Sequence, residues 1–306
     1  DAWLSRITVV ETPEAMGAAD LAIEAVIEDL SVKQALFSTL ESVLAPEAVL
    51  ATNTSSLSVT AMAADLRHPE RVVGLHFFNP VAVMPLVEVV RGERTDEAAR
   101  ATAFAVARTL RKTVIGVDDA PSFVVNRLLG RFMAEIGTLV DEGTPIEVAD
   151  AAVVDLAPMP PFQLIGMVGP AIALHNNESL QRALGGRFAV PQVMRAVVEA
   201  GRPGYYLPGT PPVVDPDVRA LLQPGDGPST PEQVRRRVLE ALADEARRML
   251  DEQVVADPGD IDLGMLTGAG FSFWNGGLLP LLDRSGVAER VTGRRFLAPG
   301  VASVPT

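Results

Sequence analysis

Residues 20–52 decide the predicted fold, and they read DLAIEAVIEDLSVKQALFSTLESVLAPEAVLAT. The apolar run at 20–26 follows a turn of small residues, which predicts a strand. Apolar residues then recur at Val32, Leu36 and Leu40, the spacing of one helix face, which predicts a helix over 32–44. A second strand is predicted at 49–52. A strand, a helix and a strand in this order are typical of parallel strands joined by a crossover helix.

The same alternation continues on both sides of this segment. Further strands are predicted at 7–10, 71–76, 86–90 and 113–117, and further helices at 59–66 and 96–110. Alternating strands and helices predict an α/β domain over residues 1–118, built on a partial doubly wound, Rossmann-like parallel sheet.

From residue 121 the pattern becomes helical. Long helices are predicted at 123–143 and 232–253, and residues 201–230 are rich in Pro and Gly, which predicts a linker or long loop. The segment after Asp260 resembles the segment after Asp150, which indicates a duplicated helical module. The predicted division of the chain is 1–118, 119–206, a Pro/Gly-rich linker at 207–230, and 231–306.

The composition excludes several classes of protein. Among the 306 residues, 26 Lys and Arg stand against 39 Asp and Glu, and the net charge of −13 disfavours binding of nucleic acid through a basic surface. No cysteine is present, and the three histidines are too scattered to predict a metal site. No apolar run approaches the roughly 20 residues that span a bilayer. We therefore expect a cytoplasmic protein without a metal, a membrane span or a nucleic acid partner.

Five motifs then follow one another along the chain. They are the segment 20–33, Asn53-Thr54-Ser55-Ser56, His76-Phe77-Phe78-Asn79-Pro80, Leu86-Val87-Glu88-Val89 and Phe123-Val124-Val125-Asn126-Arg127. In this order and spacing they resemble the L-3-hydroxyacyl-CoA dehydrogenase family over nearly the whole chain. Residues 270–277 resemble the second C-terminal helical domain of the multifunctional α-subunits of fatty-acid oxidation. The resemblance implies a Rossmann-like domain followed by two all-α domains of the dehydrogenase C-terminal type.

The resemblance also implies a set of catalytic residues. Oxidation of a 3-hydroxyacyl thioester needs a base for the hydroxyl proton, and histidine, with an ordinary pKa of about 6.5, suits this role. The resemblance assigns the role of the base to His76 and the orientation of that histidine to Glu88. It implies that Ser55 and Asn126 form hydrogen bonds with the substrate. Each residue also has an ordinary structural explanation. These are a packed strand-end histidine for His76, a solvated loop acid for Glu88, a turn or helix N-cap for Ser55, and a hydrogen bond at a helix start for Asn126.

NAD is the cofactor that the resemblance implies. Five residues match family positions that line the nicotinamide half of the cofactor, and they are Ala25, Glu28, Lys33, Ser55 and Asn79. From the sequence pattern alone, Glu28 is a strand-end acid and Lys33 an exposed helix residue.

One expected part of the cofactor site has no counterpart in this sequence. Family members begin with a strand and a G-x-G-x-x-G turn that opens a helix, and no such turn occurs in residues 1–306. Either a further stretch of protein precedes residue 1, or this part of the domain has been lost. We expect the first, because a sheet without its first strands exposes an apolar edge.

The function implied by the resemblance is the NAD-dependent oxidation of (S)-3-hydroxyacyl-CoA to 3-ketoacyl-CoA in fatty-acid β-oxidation. Two alternatives stay open. One is a catalytically inactive, dehydrogenase-derived module for acyl-CoA binding or assembly, and the other is a short-chain 3-hydroxybutyryl-CoA dehydrogenase. Besides the acyl-CoA substrate, the implied partners are a hydratase domain in the same chain, a thiolase subunit and a second copy of the chain.

Overall fold

A computed structural model describes residues 4–223 and 225–301. The chain divides into two compact units, residues 1–120 and 121–306. Across the described part of the chain, no helix is both long enough and apolar enough to cross a membrane.

The first unit is built on a five-stranded sheet. In sheet order the strands are β1 (Leu21–Glu24), β2 (Val49–Thr52), β3 (Val72–Phe77), β4 (Leu86–Arg91) and β5 (Thr113–Asp118). Because β1, β2 and β3 are parallel, their carboxyl ends lie at one edge of the sheet. β4 runs antiparallel to β3 and parallel to β5, which differs from the all-parallel prediction. Hydrophobic periodicity identifies buried strands but does not reveal their direction.

Three helices accompany this sheet, α1 (Leu30–Val43), α2 (Val59–Ala63) and α3 (Glu97–Thr109). Each begins after a residue whose side chain accepts a backbone N–H of the first turn, and these caps are Asp29, Ser58 and Asp96. α3 packs on the sheet through Ala99, Ala103 and Ala107, whose four-residue spacing places small side chains on one face. The core of the unit lies between this face and buried residues of β2, β3 and β4.

Residues 7–10 do not form the predicted strand. Their backbone pairs with no strand of the described sheet, and Ile7 and Val9 are 64% and 89% exposed. Short 3-10 turns lie on either side, at Leu4–Arg6 and Pro13–Met16. A β-branched run becomes a strand only where a neighbour satisfies its backbone and covers its side chains.

The second unit is mainly helical. Its helices are α4 (Val125–Asp141), α5 (Ile146–Ala151), α6 (Pro161–Val168), α7 (Pro170–Leu184), α8 (Gln192–Glu199), α9 (Pro216–Leu221), α10 (Pro231–Asp251), α11 (Pro258–Gly268), α12 (Leu278–Arg284) and α13 (Val287–Thr292). The long helices α4 and α10 pack together, and Arg127 Nε of α4 donates to Glu245 Oε1 of α10 at 2.6 Å. Both side chains are fully buried, so this ion pair offsets part of the cost of removing the two charges from water.

The Pro- and Gly-rich segment at 201–230 contains regular structure, unlike the predicted loop. A two-stranded antiparallel sheet joins β6 (Tyr206–Leu207) to β7 (Val213–Val214), and α9 follows it. Asp215 caps α9 and Pro216 occupies its first turn, where proline is favourable. Pro224 lies outside the described residues. At least one proline of this segment, Pro216, therefore lies at the start of a helix and not in a loop.

An aspartate contact recurs in the two halves of this unit. Asp150 of α5 accepts a hydrogen bond from the Phe162 backbone N–H at 3.0 Å, at the start of α6. Asp262 of α11 accepts one from the Leu279 N–H at 2.8 Å, at the start of α12. In both places a carboxylate satisfies an amide that the next helix leaves without a partner. Burial raises the pKa of each carboxyl to about 6.

We expect Asp262→Asn to change the pH dependence of stability. The folded-state pKa of Asp262 lies above the ordinary 3.8, so the folded protein binds this proton more tightly than the unfolded chain. Asp262 contributes about 3 kcal/mol to the free energy of unfolding through this shift. The contribution is fully present below about pH 4 and is lost as the pH rises through about 6. Asparagine keeps an acceptor for Leu279 but does not titrate.

Urea unfolding at about pH 4 and pH 7 measures this effect. The free energy of unfolding of Asp262→Asn, relative to the unsubstituted protein, is expected to rise between the two pH values. Asp226→Asn, at an exposed position, controls for the loss of one carboxylate. The prediction is wrong if both variants show the same pH dependence.

Candidate active site

His76 and Glu88 form a buried pair on adjacent strands. The register of β3 and β4 places the two residues directly opposite each other. His76 Nδ1 lies 2.6 Å from Glu88 Oε2, and the side chains are 3% and 0% exposed. Because a carboxylate only accepts hydrogen bonds, Nδ1 carries the proton and the lone pair of the neutral ring is at Nε2. The Phe78 ring, centred 4.5 Å from the imidazole, packs against it.

This geometry decides between the alternatives for Glu88. A solvated loop acid is excluded, because Glu88 lies within β4 and is fully buried. The twelve-residue separation brings the pair together because the chain reverses between β3 and β4. Burying a carboxylate beside an imidazole costs desolvation energy, so the pair is not explained by stability alone.

A second charged cluster lies at the carboxyl end of β1. Lys33 Nζ is 2.7 Å from Glu24 Oε1 and 3.3 Å from Glu28 Oε2, and the Lys33 side chain is 1% exposed. Glu24 also accepts hydrogen bonds from the Thr52 hydroxyl and the Val26 N–H. Lys33 is therefore a buried ammonium held between two carboxylates, not an exposed helix residue.

Sequence reasoning missed Glu24 as a member of this cluster. The available signal is an acid inside the apolar strand Leu21–Glu24, followed nine residues later by a lysine. A buried charge such as that of Glu24 requires a partner of opposite sign, and only two lysines occur in the chain.

Glu28 holds the segment that carries Ser55. Its Oε1 accepts the Thr54 hydroxyl at 2.6 Å, the Ser55 N–H at 3.0 Å and the Ser56 N–H at 3.2 Å. Burial by itself raises the pKa of Glu28, but the Thr54 hydrogen bond and the charge of Lys33 outweigh it, so the pKa is lowered. The ionised carboxylate fixes the backbone on which Ser55 stands. The N-cap of α2 is Ser58, so Ser55 does not have that structural role.

The remaining predicted residues lie at two places. Ala25 and Asn79 are exposed and follow β1 and β3 at the edge where the parallel strands end, as Ser55 follows β2. Asn126 lies in the first turn of α4, in the second unit. Just before that helix, Ser122 and Phe123 have positive φ angles of 58° and 56°.

This edge of the sheet fits part of an NAD molecule. Ser55 and Asn79 offer a hydroxyl and an amide at the strand ends that Ala25 also follows, and such groups can hydrogen-bond a carboxamide or a ribose. Among the described residues of the first unit, no glycine-rich turn leads from a strand into a helix. The chemistry of these groups is compatible with the nicotinamide half of the cofactor, and no pyrophosphate cradle occurs among the described residues of the first unit.

Comparisons with known proteins agree with this picture of two consecutive domain types. Residues 1–120 match the model of the 3-hydroxyacyl-CoA dehydrogenase NAD binding domain, and residues 123–206 match the C-terminal domain of that family. The fatty acid oxidation complex subunit alpha of Vibrio vulnificus is 37% identical over 286 residues. The match covers 89% of this chain and 40% of the relative, so the chain spans well under half of that protein's length.

Solved structures show the same relationship. The 3-hydroxybutyryl-CoA dehydrogenase from Escherichia coli superposes with a TM-score of 0.76 and 26% identity, over 98% of this chain and 84% of that chain. The (S)-3-hydroxybutyryl-CoA dehydrogenase from Ralstonia eutropha has a TM-score of 0.61 and 33% identity, over 65% of this chain and 71% of that chain. The Rossmann-like fold and the family resemblance predicted from the sequence are both confirmed. With both family domains matched in order over residues 1–206, the chain belongs to the 3-hydroxyacyl-CoA dehydrogenase family.

Proposed function

We propose that the chain catalyses the NAD-dependent oxidation of (S)-3-hydroxyacyl-CoA to 3-ketoacyl-CoA. The observation that carries this proposal is the His76–Glu88 pair. It is a buried imidazole whose Nδ1 is committed to a carboxylate at 2.6 Å, at the sheet edge where the candidate cofactor residues also lie. This arrangement prepares Nε2 to act as a base.

In the proposed reaction, His76 Nε2 removes the proton from the substrate hydroxyl. The C–H bond of the same carbon breaks, the carbon–oxygen double bond forms, and NAD, when bound, supplies the acceptor for the departing hydride. Glu88 stabilises the imidazolium that results, because its carboxylate is buried beside Nδ1. Ser55 and Asn126 are proposed to hydrogen-bond the substrate oxygen and to stabilise its developing charge.

The proposed residues for the nicotinamide half of NAD are Ala25, Glu28, Lys33, Ser55 and Asn79. Their contributions differ because their exposure differs. Ala25, Ser55 and Asn79 are exposed and offer direct contacts, whereas Lys33 is 1% exposed and acts by holding the Glu28 carboxylate in place.

The test is an assay of NADH formation by the purified protein with (S)-3-hydroxybutyryl-CoA, with the (R)-isomer as the matched control. Turnover of the (S)-substrate at a rate well above that of the (R)-substrate is the expected result. Binding of acyl-CoA in a calorimeter without any NADH formation contradicts the proposal. That outcome favours the alternative of an inactive module for acyl-CoA binding or assembly.

A short-chain substrate is a second candidate. It is favoured by the two solved structures named 3-hydroxybutyryl-CoA dehydrogenase, while the Vibrio relative favours fatty-acid oxidation. Comparing kcat/KM for (S)-3-hydroxybutyryl-CoA and (S)-3-hydroxydecanoyl-CoA separates the two, since a short-chain enzyme prefers the first.

Location and partners are proposals of the same kind. The relative's name, a subunit of a complex, supports a place in a multienzyme assembly. A thiolase subunit and a hydratase domain in the same chain are the components that we propose for it. A second copy of the chain is also a proposed partner. The bacterial source of that relative supports a cytoplasmic location.

A further inference from the structure

The segment at 53–58, which carries Ser55, leaves the sheet before the strand beside it ends. The pairing of β2 with β3 ends at Thr52 opposite Gly74, whereas β3 continues through His76 to Phe77. Strand pairing with β2 therefore does not extend to His76. Side-chain hydrogen bonds at this edge therefore contribute to the position of Ser55 relative to His76.

Asn53 joins the ends of three strands. Its backbone N–H donates to the Glu24 carbonyl oxygen at 3.0 Å, at the end of β1. Its side-chain Oδ1 accepts the Phe77 N–H at 2.9 Å, at the end of β3 and one residue after His76. Asn53 itself directly follows β2. The Asn53 side-chain oxygen thus accepts a backbone N–H of β3, as a backbone carbonyl of β2 would if the pairing of β2 with β3 continued.

Two further anchors of the segment connect it to other parts of the first unit. Glu28 ties Thr54, Ser55 and Ser56 to the loop after β1. Asp119, after β5, accepts the Ser58 hydroxyl at 2.6 Å and so fixes the far end of the segment. The Asn53 side chain connects the segment directly to the strand that carries His76.

We propose that Asn53 is a positioning residue that sets the distance and orientation of Ser55 relative to His76. This inference rests on the proposed function, in which both residues act on one substrate hydroxyl. A displacement of about 1 Å between reacting groups can reduce a rate by about 10²-fold, so loss of the Asn53 bond acts on kcat. Asn53 acts through the position of Ser55 and is not itself a catalytic residue.

The test compares Asn53→Ala with Asn53→Asp. Alanine removes the acceptor for the Phe77 N–H, and aspartate keeps an oxygen at the same place. We expect Asn53→Ala to lower kcat for NADH formation by about 10- to 100-fold, while KM for NAD changes by less than about threefold. Asn53→Asp is expected to recover most of the lost kcat. Asn275→Ala, which removes an asparagine hydrogen bond to the Asp155 carbonyl in the second unit, is the control and is expected to leave kcat unchanged.

A purely structural role predicts a different set of results. In that case Asn53→Ala lowers the melting temperature while the kcat of the folded protein stays the same, and the proposal is overturned. Should Asn53→Ala not fold, Asn53→Ser replaces it, because its hydroxyl lies one atom closer to the backbone and reaches Phe77 poorly. A kcat for Asn53→Ser equal to that of the unsubstituted protein also overturns the proposal.

Hydrogen exchange separates this proposal from the proposed function. The Phe77 amide is expected to exchange faster in Asn53→Ala and to remain protected in Asn53→Asp, whether or not the protein turns over substrate. If the unsubstituted protein forms no NADH, the proposed function fails, and the exchange data alone decide whether Asn53 holds the segment against β3. Equal protection of Phe77 in all variants overturns the positioning role.

Discussion

His76→Gln is expected to lower kcat for NAD reduction by about 10²- to 10⁴-fold, the usual contribution of a general base. An amide does not take up a proton at neutral pH, so the substrate hydroxyl loses its acceptor. Glutamine is chosen over alanine because its amide can still donate to the buried Glu88 carboxylate, whereas alanine removes this contact. Steady-state kinetics with the (S)-substrate measure the effect, and circular dichroism confirms that the variant is folded.

The chain contains a matched control for this substitution. His68 and Glu70 form a second histidine–glutamate pair, with Nδ1 and Oε1 3.0 Å apart, but their side chains are 51% and 45% exposed. His68→Gln removes the same chemical group from the surface and is expected to leave kcat unchanged. If His76→Gln and His68→Gln have the same kcat, His76 is not the base and the proposed function loses its main support.

Most of the fold follows from local sequence patterns. The helix predicted at 96–110 is observed at Glu97–Thr109, because Asp96 is a good cap and small apolar residues recur at helical spacing. The strand predicted at 7–10 is not observed, since strand formation depends on a neighbour that local sequence does not specify. The antiparallel direction of β4 depends on a chain reversal after Pro80, which periodicity does not describe.

The site could be predicted only in part for a related reason. The family resemblance identified His76 and Glu88, and the structure shows them paired across two strands. The roles of Glu24 and Asn53 depend on three strand ends that meet from positions far apart in the chain. Both residues lie in motifs that carry the family resemblance, but only the folded arrangement shows what each one contacts.

Glu88→Gln is expected to lower kcat by up to about 10⁴-fold, because the substitution changes both the charge and the tautomer of the histidine. The amide of glutamine can donate to Nδ1, and the ring then carries its proton at Nε2, where the base is needed. The negative charge that stabilises the imidazolium is lost as well. KM is expected to change little, since Glu88 is fully buried against His76 and the proposal assigns it no contact with substrate.

Glu88→Asp tests the charge separately from the geometry. Aspartate keeps the carboxylate but is one methylene shorter, so it reaches Nδ1 less well and is expected to give a kcat between those of the unsubstituted protein and Glu88→Gln. Glu70→Gln, at the exposed pair, is the matched control and is expected to have no effect on kcat. A folded Glu88→Gln variant with a kcat within about threefold of the unsubstituted protein contradicts the role of Glu88. The buried pair would then be a packing feature, and the base would have to be sought elsewhere at the sheet edge.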